Sequence, residues 1–493
     1  MLRLRFAGAL ALASAALPVQ AQTPCVNGSA GAYECDGVSL QALVGFSALG
    51  FPGASGNDSW GWTDPENGRE YALMGTTNGT TFVDVTEPAS PVVLGRIPTQ
   101  TQNSVWRDIK TVGDYAYIGS EASGHGLQVF DLTRLRDVQG TPVVFEPDAV
   151  YTGFGNSHNI VALPERDLVV AVGTSTCGGG LHLLDVSDPA SPAFAGCYAG
   201  AGYTHDAQCV VYTGPDPDYQ GRDICVASNG RLPGDGDLYV IVDVTDRAAP
   251  DFIGAVIHPN PGYAHQGWLT EDQRYFIADD ETDETGTSLT RTLVFDLSDL
   301  DNPTYVGTHD GATVSIDHNL FVRGDLVFQA NYRSGLRVLE MGDLAEAELT
   351  EVAFFDTYPG SDAPSYTGAW GVYPYLPSGT ILISDIDRGL FVLRVDGFNP
   401  LDAAGAPEAS ATRLAVFPNP SAGAAQLRLT VAAAGPVRVE VFDVLGRRAA
   451  LLYDGPVGAD GLDLRADGLP AGAYVVRARG ADFVATERLT VTR

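Results

Sequence analysis

The chain contains a single lysine, Lys110, among 493 residues, and only 3 methionines. With 61 acidic residues against 29 lysines and arginines, its formal net charge is −32. Such a surface repels phosphate backbones and anionic headgroups, which argues against nucleic acid and anionic lipid as partners. It suits cations, or salty water in which screening weakens self-repulsion, so halophilic adaptation is an expectation. No C-x-x-C pair occurs, which speaks against dithiol redox chemistry. No G-x-S-x-G elbow, P-loop or dinucleotide fingerprint is present, so serine-nucleophile and nucleotide chemistry lack their usual signatures. Carboxylates are too many for any pair to stand out as a glycosidase acid and base. Long apolar runs are scarce as well. The run at 6–17 is too short to span a membrane. It follows Arg3 and Arg5 and precedes Val19-Gln20-Ala21, the small-residue pattern of a cleavable secretory signal, so 1–21 is read as a signal peptide.

Export implies an oxidising compartment, and the 6 cysteines form an even set. Proximity in sequence suggests Cys25 with Cys35 in an N-terminal loop (22–38), Cys177 with Cys197 within one repeat, and Cys209 with Cys225 on neighbouring strands. The expected role is structural stapling.

What the chain has in abundance is a repeat. The stretch at 238–254, LYVIVDVTDRAAPDFIG, is an apolar β-branched run followed by Asp243, a polar turn, Pro250 and Gly254. Asp84, Pro91 and Gly95 keep the same frame, as do Asp185, Pro192 and Gly196, and Asp296, Pro303 and Gly307. Three further runs, ending at Asp131, at Glu340 and at 390–395, keep the strand but vary the residues after it. Seven copies about fifty residues apart match the period of a four-stranded propeller blade. The recurring Asp suits a tight turn, where its short side chain bonds the backbone. The seventh copy stops after its third strand, and the strand expected at 39–48 can supply the fourth. The expected fold class is therefore all-β: a seven-bladed β-propeller (39–397) closed by an N-terminal strand. An Ala/Pro/Gly linker (398–411) comes next, then a small C-terminal β-sandwich (412–493) with alternating strands and turn signals. Insertions at 213–222 and 279–290 read as exposed loops. The second is rich in carboxylates and is a candidate Ca²⁺ site, although its spacing is not that of an EF-hand.

These residues carry two resemblances. The repeats VIVDVTD (240–246) and LHLLDVSDP (181–189) look like LVIVD repeats, and their arrangement resembles the choice-of-anchor B family of surface propellers. The C-terminal segment resembles the type A sorting domain of type IX secretion, through Phe417-Pro418-Asn419-Pro420, the run at 443–447 with Gly446, and the run at 469–474 with Gly472. The second resemblance implies passage across an outer membrane by the type IX machinery, with release or attachment at the cell surface afterwards. Neither implies a defined reaction.

One position stands out about twenty residues beyond the recurring Asp. There the repeats carry Trp106, His158, His205, His265, His318 and Trp370, with Trp60 or Trp62 in the first. Four of the 8 histidines thus share one structural position, at the start of the innermost strand of consecutive blades. They are expected to meet at one mouth of the central channel, beside Glu121, Asp280 and Asp385 at the ends of the second strands. Neutral imidazoles on a rigid arc are good ligands for a transition metal such as Zn, Cu, Fe or Ni, which could activate water or O₂. The same rings could instead line the channel structurally, or form with Trp62, Trp106 and Trp370 a pocket for an organic ligand. The leading expectation is a secreted, surface-attached, monomeric propeller that binds an extracellular ligand. A metal-dependent enzyme using the histidines and a purely structural surface component are the alternatives.

Overall fold

The computed structural model describes residues 22–140, 142–232, 236–284, 288–398, 413–417, 421–422, 425–430, 435–443, 448–458, 461–480 and 484–492. The signal segment, the linker beyond Phe398, Pro418, Asn419, Pro420 and Gly446 lie outside them. The chain divides into two compact units, Met1–Ala403 and Ala404–Arg493. Both are built of strands; helical structure among the described residues is limited to short 3-10 turns. No described helix is long and apolar enough to cross a membrane.

In the first unit, antiparallel strands form sets of four. Asn159–Leu163, Leu168–Val172, Leu181–Asp185 and Ala193–Tyr198 pair in that order. Leu168–Val172 is buried along its whole length, because both faces of its sheet are covered; hence its unbroken apolar run, LVVAV. Apolar clusters join each set to the next. Val170 and Leu183 pack with Ala227 and Val240 of the following set. Ile277 and Val294 pack with Val322 and Val327, and Phe328 and Val338 with Ile381 and Phe391. The last set packs on the first through Leu382 and Val392 against Ala72 and Val83. Each fully buried Val, Leu, Ile or Phe in these seams contributes about 1.5–3 kcal/mol.

The strand expected near the N-terminus is Val38–Val44. It pairs antiparallel with Gly389–Val395, Val38 opposite Val395 and Val44 opposite Leu390, and completes the set of Ala369–Tyr373 and Thr380–Asp385. Cys25 and Cys35 are bonded, as are Cys177 and Cys197, and Cys209 and Cys225.

The repeat frame has a physical explanation. Asp84, Asp185, Asp243 and Asp296 each accept a hydrogen bond from the backbone N–H two residues on, the signature of an Asx turn. The recurring glycine sits where the third and fourth strands slip register: Leu183 pairs with Gly196 and Leu184 with Phe194, and Ile241 with Gly254 and Val242 with Phe252. A Cβ on Gly196 would lie 1.5 Å from the Arg247 carbonyl, and one on Gly254 2.3 Å from that of Leu300. Glycine is needed because the next repeat's turn presses its backbone against this strand.

Two features depart from the simple repeat. Asp223–Leu232 is longer than its counterparts, and Gly230 bridges to Ala264, which fuses two sets into one eight-stranded sheet. The Cys25–Cys35 hairpin extends another sheet, pairing Cys35 with Phe355.

The second unit has two sheets, one of Arg413–Phe417, Ala425–Thr430 and Leu462–Ala466, the other built around Gly435–Asp443 and Gly472–Arg479. Leu427, Leu429, Val439, Val441, Val476 and Leu489 form one apolar core from both.

Candidate functional site

Each inner strand begins beside one cavity of about 700 Å³. His158, His205 and His318 directly precede Asn159–Leu163, Asp206–Val211 and Asn319–Arg323, and His265 is the second residue of Ala264–Leu269. The four rings form an arc with centroids 4.2 Å apart from His158 to His205, 4.2 Å from His205 to His265 and 4.4 Å from His265 to His318. His205, His265 and His318 are buried.

Every Nδ1 in the arc is engaged. That of His205 faces the His265 carbonyl at 3.0 Å, and that of His318 faces the Trp370 carbonyl. A carbonyl only accepts, so these two nitrogens carry the proton and donate it. The Nδ1 of His158 meets Glu121 Oε1 at 2.6 Å, and that of His265 meets Asp279 Oδ1 at 3.2 Å. The carbonyl contacts fix the tautomer that leaves the Nε2 lone pair free on His205 and His318, and an ionised carboxylate at Nδ1 selects the same tautomer on His158 and His265. Glu281 faces two of these atoms, 3.9 Å from His265 Nε2 and 3.8 Å from His318 Nε2. Donor atoms of His265, Glu281 and His318 lie within 4.8 Å of one another.

Burial shapes the charge states. It pushes His205 and His265 well below the usual imidazole range and His318 down to about 3, so these rings are neutral at pH 7. Burial also pushes the Glu281 carboxyl up to about 7, opposed by the hydrogen bond that Tyr332 Oη donates to its Oε1 at 2.8 Å. A nearby cation would favour the ionised form.

Tyr263, Tyr366 and Trp370 complete the wall, and Trp106, 43% exposed, stands at its rim. Trp62 does not reach it. It lies at the far end of Gly56–Thr63, packed on Tyr71 in the core, while Ser55 and Gly56 hold the first repeat's place at the cavity. Asp280 and Asp385 also turn away. Asp280 binds His258 Nε2 at 3.0 Å and the N–H groups of Gly262 and Tyr263. Asp385 accepts from the N–H groups of Asp387 and Arg388. Alternation along the strand explains the miss: the residue one step beyond the strand end faces the cavity, which is Glu121, Glu281 or Ile386. Glu281 was legible only by comparison with Glu121, one residue past its own strand.

The same inner strands shape a second cavity, of about 600 Å³, lined by Trp60, Trp268, Phe321, Tyr373 and Tyr375. Lys110 lines it too. Its ammonium lies 2.6 Å from Asp108, 3.3 Å from Asp58 and 4.5 Å from the Trp60 ring centre, and only 8% of the residue is exposed. These carboxylates hold Lys110 firmly protonated against the cost of burial.

The LVIVD repeat model matches residues 176–200. No curated protein matches the chain. Among solved structures, the chain is similar to the periplasmic gluconolactonase of Pseudomonas aeruginosa, at 13% identity and TM-score 0.42, over 61% of this chain and 88% of that one. It is also similar to a protein from Lactobacillus plantarum, at 11% identity and TM-score 0.44, over 80% of this chain and 96% of that one. The sheet organisation and the matched repeat describe an all-β, propeller-like protein carrying an LVIVD repeat.

Proposed function

We propose that this chain is an exported propeller of seven blades whose histidine cavity holds a transition-metal ion and presents it to a small organic ligand. The observation that carries the metal is the shared anchoring of four Nδ1 atoms, which leaves the Nε2 atoms free beside Glu281. His265, His318 and Glu281 are the primary ligands, and His205 and His158 extend the arc. Two imidazoles and a carboxylate suit Zn²⁺ or Fe²⁺ and leave coordination positions open for water or ligand. An ion there would lower the pKa of bound water and make the site hydrolytic, with Tyr332 holding the Glu281 carboxylate in place.

Bound metal in the full chain without its leader, purified without chelators, tests this. About one equivalent of a transition metal is expected, as for a single site of this kind. Replacing His265 and His318 together by Ala should remove at least nine-tenths of it. A metal-free wild type, or a double variant that keeps its metal, would sink the proposal.

A second reading is a metal-free binding module. It is favoured by the exposed rings of Trp106 and Tyr366 at a cavity whose volume lies in the range of small-molecule sites. The three disulfides fit an oxidising compartment. With the leader-like segment at 1–21, they support export and a place at the cell surface. The C-terminal unit is proposed as a β-sandwich sorting domain recognised by type IX machinery, in the manner of choice-of-anchor B proteins. Of its motif residues, Gly472 opens the strand Gly472–Arg479.

A further inference from the structure

Behind the imidazole arc lies a second group of side chains with different chemistry. Asp283 and Glu284 come after Glu281 in the loop that leaves Tyr275–Asp280, and Asp317 directly precedes His318 in the next repeat. Asp317 is fully buried, and neither of its carboxylate oxygens has a hydrogen-bond partner among the described residues. Glu284 is 7% exposed, and its oxygens find no partner beyond Asp283 and its own backbone. One oxygen of Asp283 pairs with Arg291, and the other has no partner. Asp283 and Glu284 touch each other, and Glu284 is the neighbouring acidic group that acts most strongly on Asp317. A buried carboxylate without a partner is costly, and the cost rises when like charges adjoin it. Arg291 forms an ion pair with only one of the three. Buried carboxyl oxygens gathered in this way are what a bound cation would satisfy.

We propose that Asp283, Glu284 and Asp317 hold a Ca²⁺ ion, separate from the imidazole site. An all-oxygen donor set selects a hard cation over the metals that imidazole prefers. Ca²⁺ suits it better than Mg²⁺, because it accepts irregular carboxylate cages and gives up its water readily. The three carboxylates do not converge within 4.8 Å as a trio, so the ion draws the two loops together. The consequence reaches the imidazole site: one loop carries Glu281 and the other carries His318. The proposal does not depend on a metal at the histidines.

The test uses the full chain without its leader, stripped with EGTA, and reads calorimetric Ca²⁺ titration together with thermal melting. The expected result is about one Ca²⁺ per chain and a midpoint rise of about 3 °C at a hundred times the dissociation constant. D317N and E284Q should each weaken Ca²⁺ binding at least tenfold and abolish the rise. They should also melt cooperatively within a few degrees of the wild-type temperature in EGTA, because an amide of the same shape replaces each carboxyl without disturbing the packing; this separates loss of the site from loss of the fold. The H265A/H318A chain should keep its Ca²⁺ response, so the two sites fail independently. No Ca²⁺ binding at millimolar concentration, or wild-type affinity in D317N, would overturn the proposal.

Discussion

His125 lies outside the arc and shows what burial does to an imidazole when a cation adjoins it. Its Nε2 accepts from the Arg107 guanidinium at 3.0 Å, and its Nδ1 donates to the Gly126 carbonyl at 3.0 Å. Protonation would set an N–H against Arg107. Burial first, and Arg107 second, push its pKa down to about 4. The unfolded value is about 6.5, so unfolding takes up a proton between these two. The stability gained by keeping His125 neutral is complete above pH 6.5 and is lost as pH falls toward 4. The predicted size is on the order of 3 kcal/mol. Denaturant melts of wild type and H125Q at pH 7.5 and pH 5 should show a smaller acid loss in the variant; equal losses would contradict this account. At this scale the sequence was partly legible. Three of the four histidines could be aligned because they lie 20 to 22 residues beyond an Asp that the turn requires, and His158 follows from its place at the start of the same strand. Glu281 was missed for Asp280 because a strand reverses its face at every residue, and one step of error points the side chain the wrong way. Trp62 was misplaced because its strand carries two tryptophans at one end and its cavity residue, Gly56, at the other.

Among elements, the third and fourth strands of the repeats share one device, a register slip opposite a glycine. Gly196→Ala forces a methyl against the Arg247 carbonyl, and the expected cost is about 1–3 kcal/mol. Gly45→Ala is the control, since its Cβ would meet nothing nearer than 3.8 Å; a change within about 0.5 kcal/mol is expected there. Equilibrium denaturation of both variants decides the matter, and equal stabilities would refute the close-approach explanation. The repeats were readable because Asp, Pro and Gly act within a few residues of their own position. The strand that completes the last set was inferred from counting, since a repeat lacking its fourth strand leaves an open edge. The Gly230–Ala264 bridge and the pairing of Cys35 with Phe355 were not readable, because they depend on how neighbouring sheets meet in space.

For the whole molecule, charge is the dominant fact. A net charge of −32 destabilises the compact state by self-repulsion. Raising salt from about 0.05 M to about 0.5 M shortens the screening length from roughly 14 Å to roughly 4 Å. The thermal midpoint should therefore rise over that range; a flat or falling midpoint in calorimetry would dispose of halophilic adaptation. Composition made this expectation available without any fold. It did not show that the chain's one lysine ammonium lies in the interior, between Asp58 and Asp108 beside Trp60. That choice leaves the described exterior of the folded protein without an ε-amine. Amine-reactive dyes find none to label there, and a lysine-specific endoprotease finds its one peptide bond shut inside the inner strands. Cleavage into two fragments at Lys110 thus reports the opening of the strands around Arg107–Val112 and ignores the fraying of surface loops, a clock for unfolding of the interior already written into the chain.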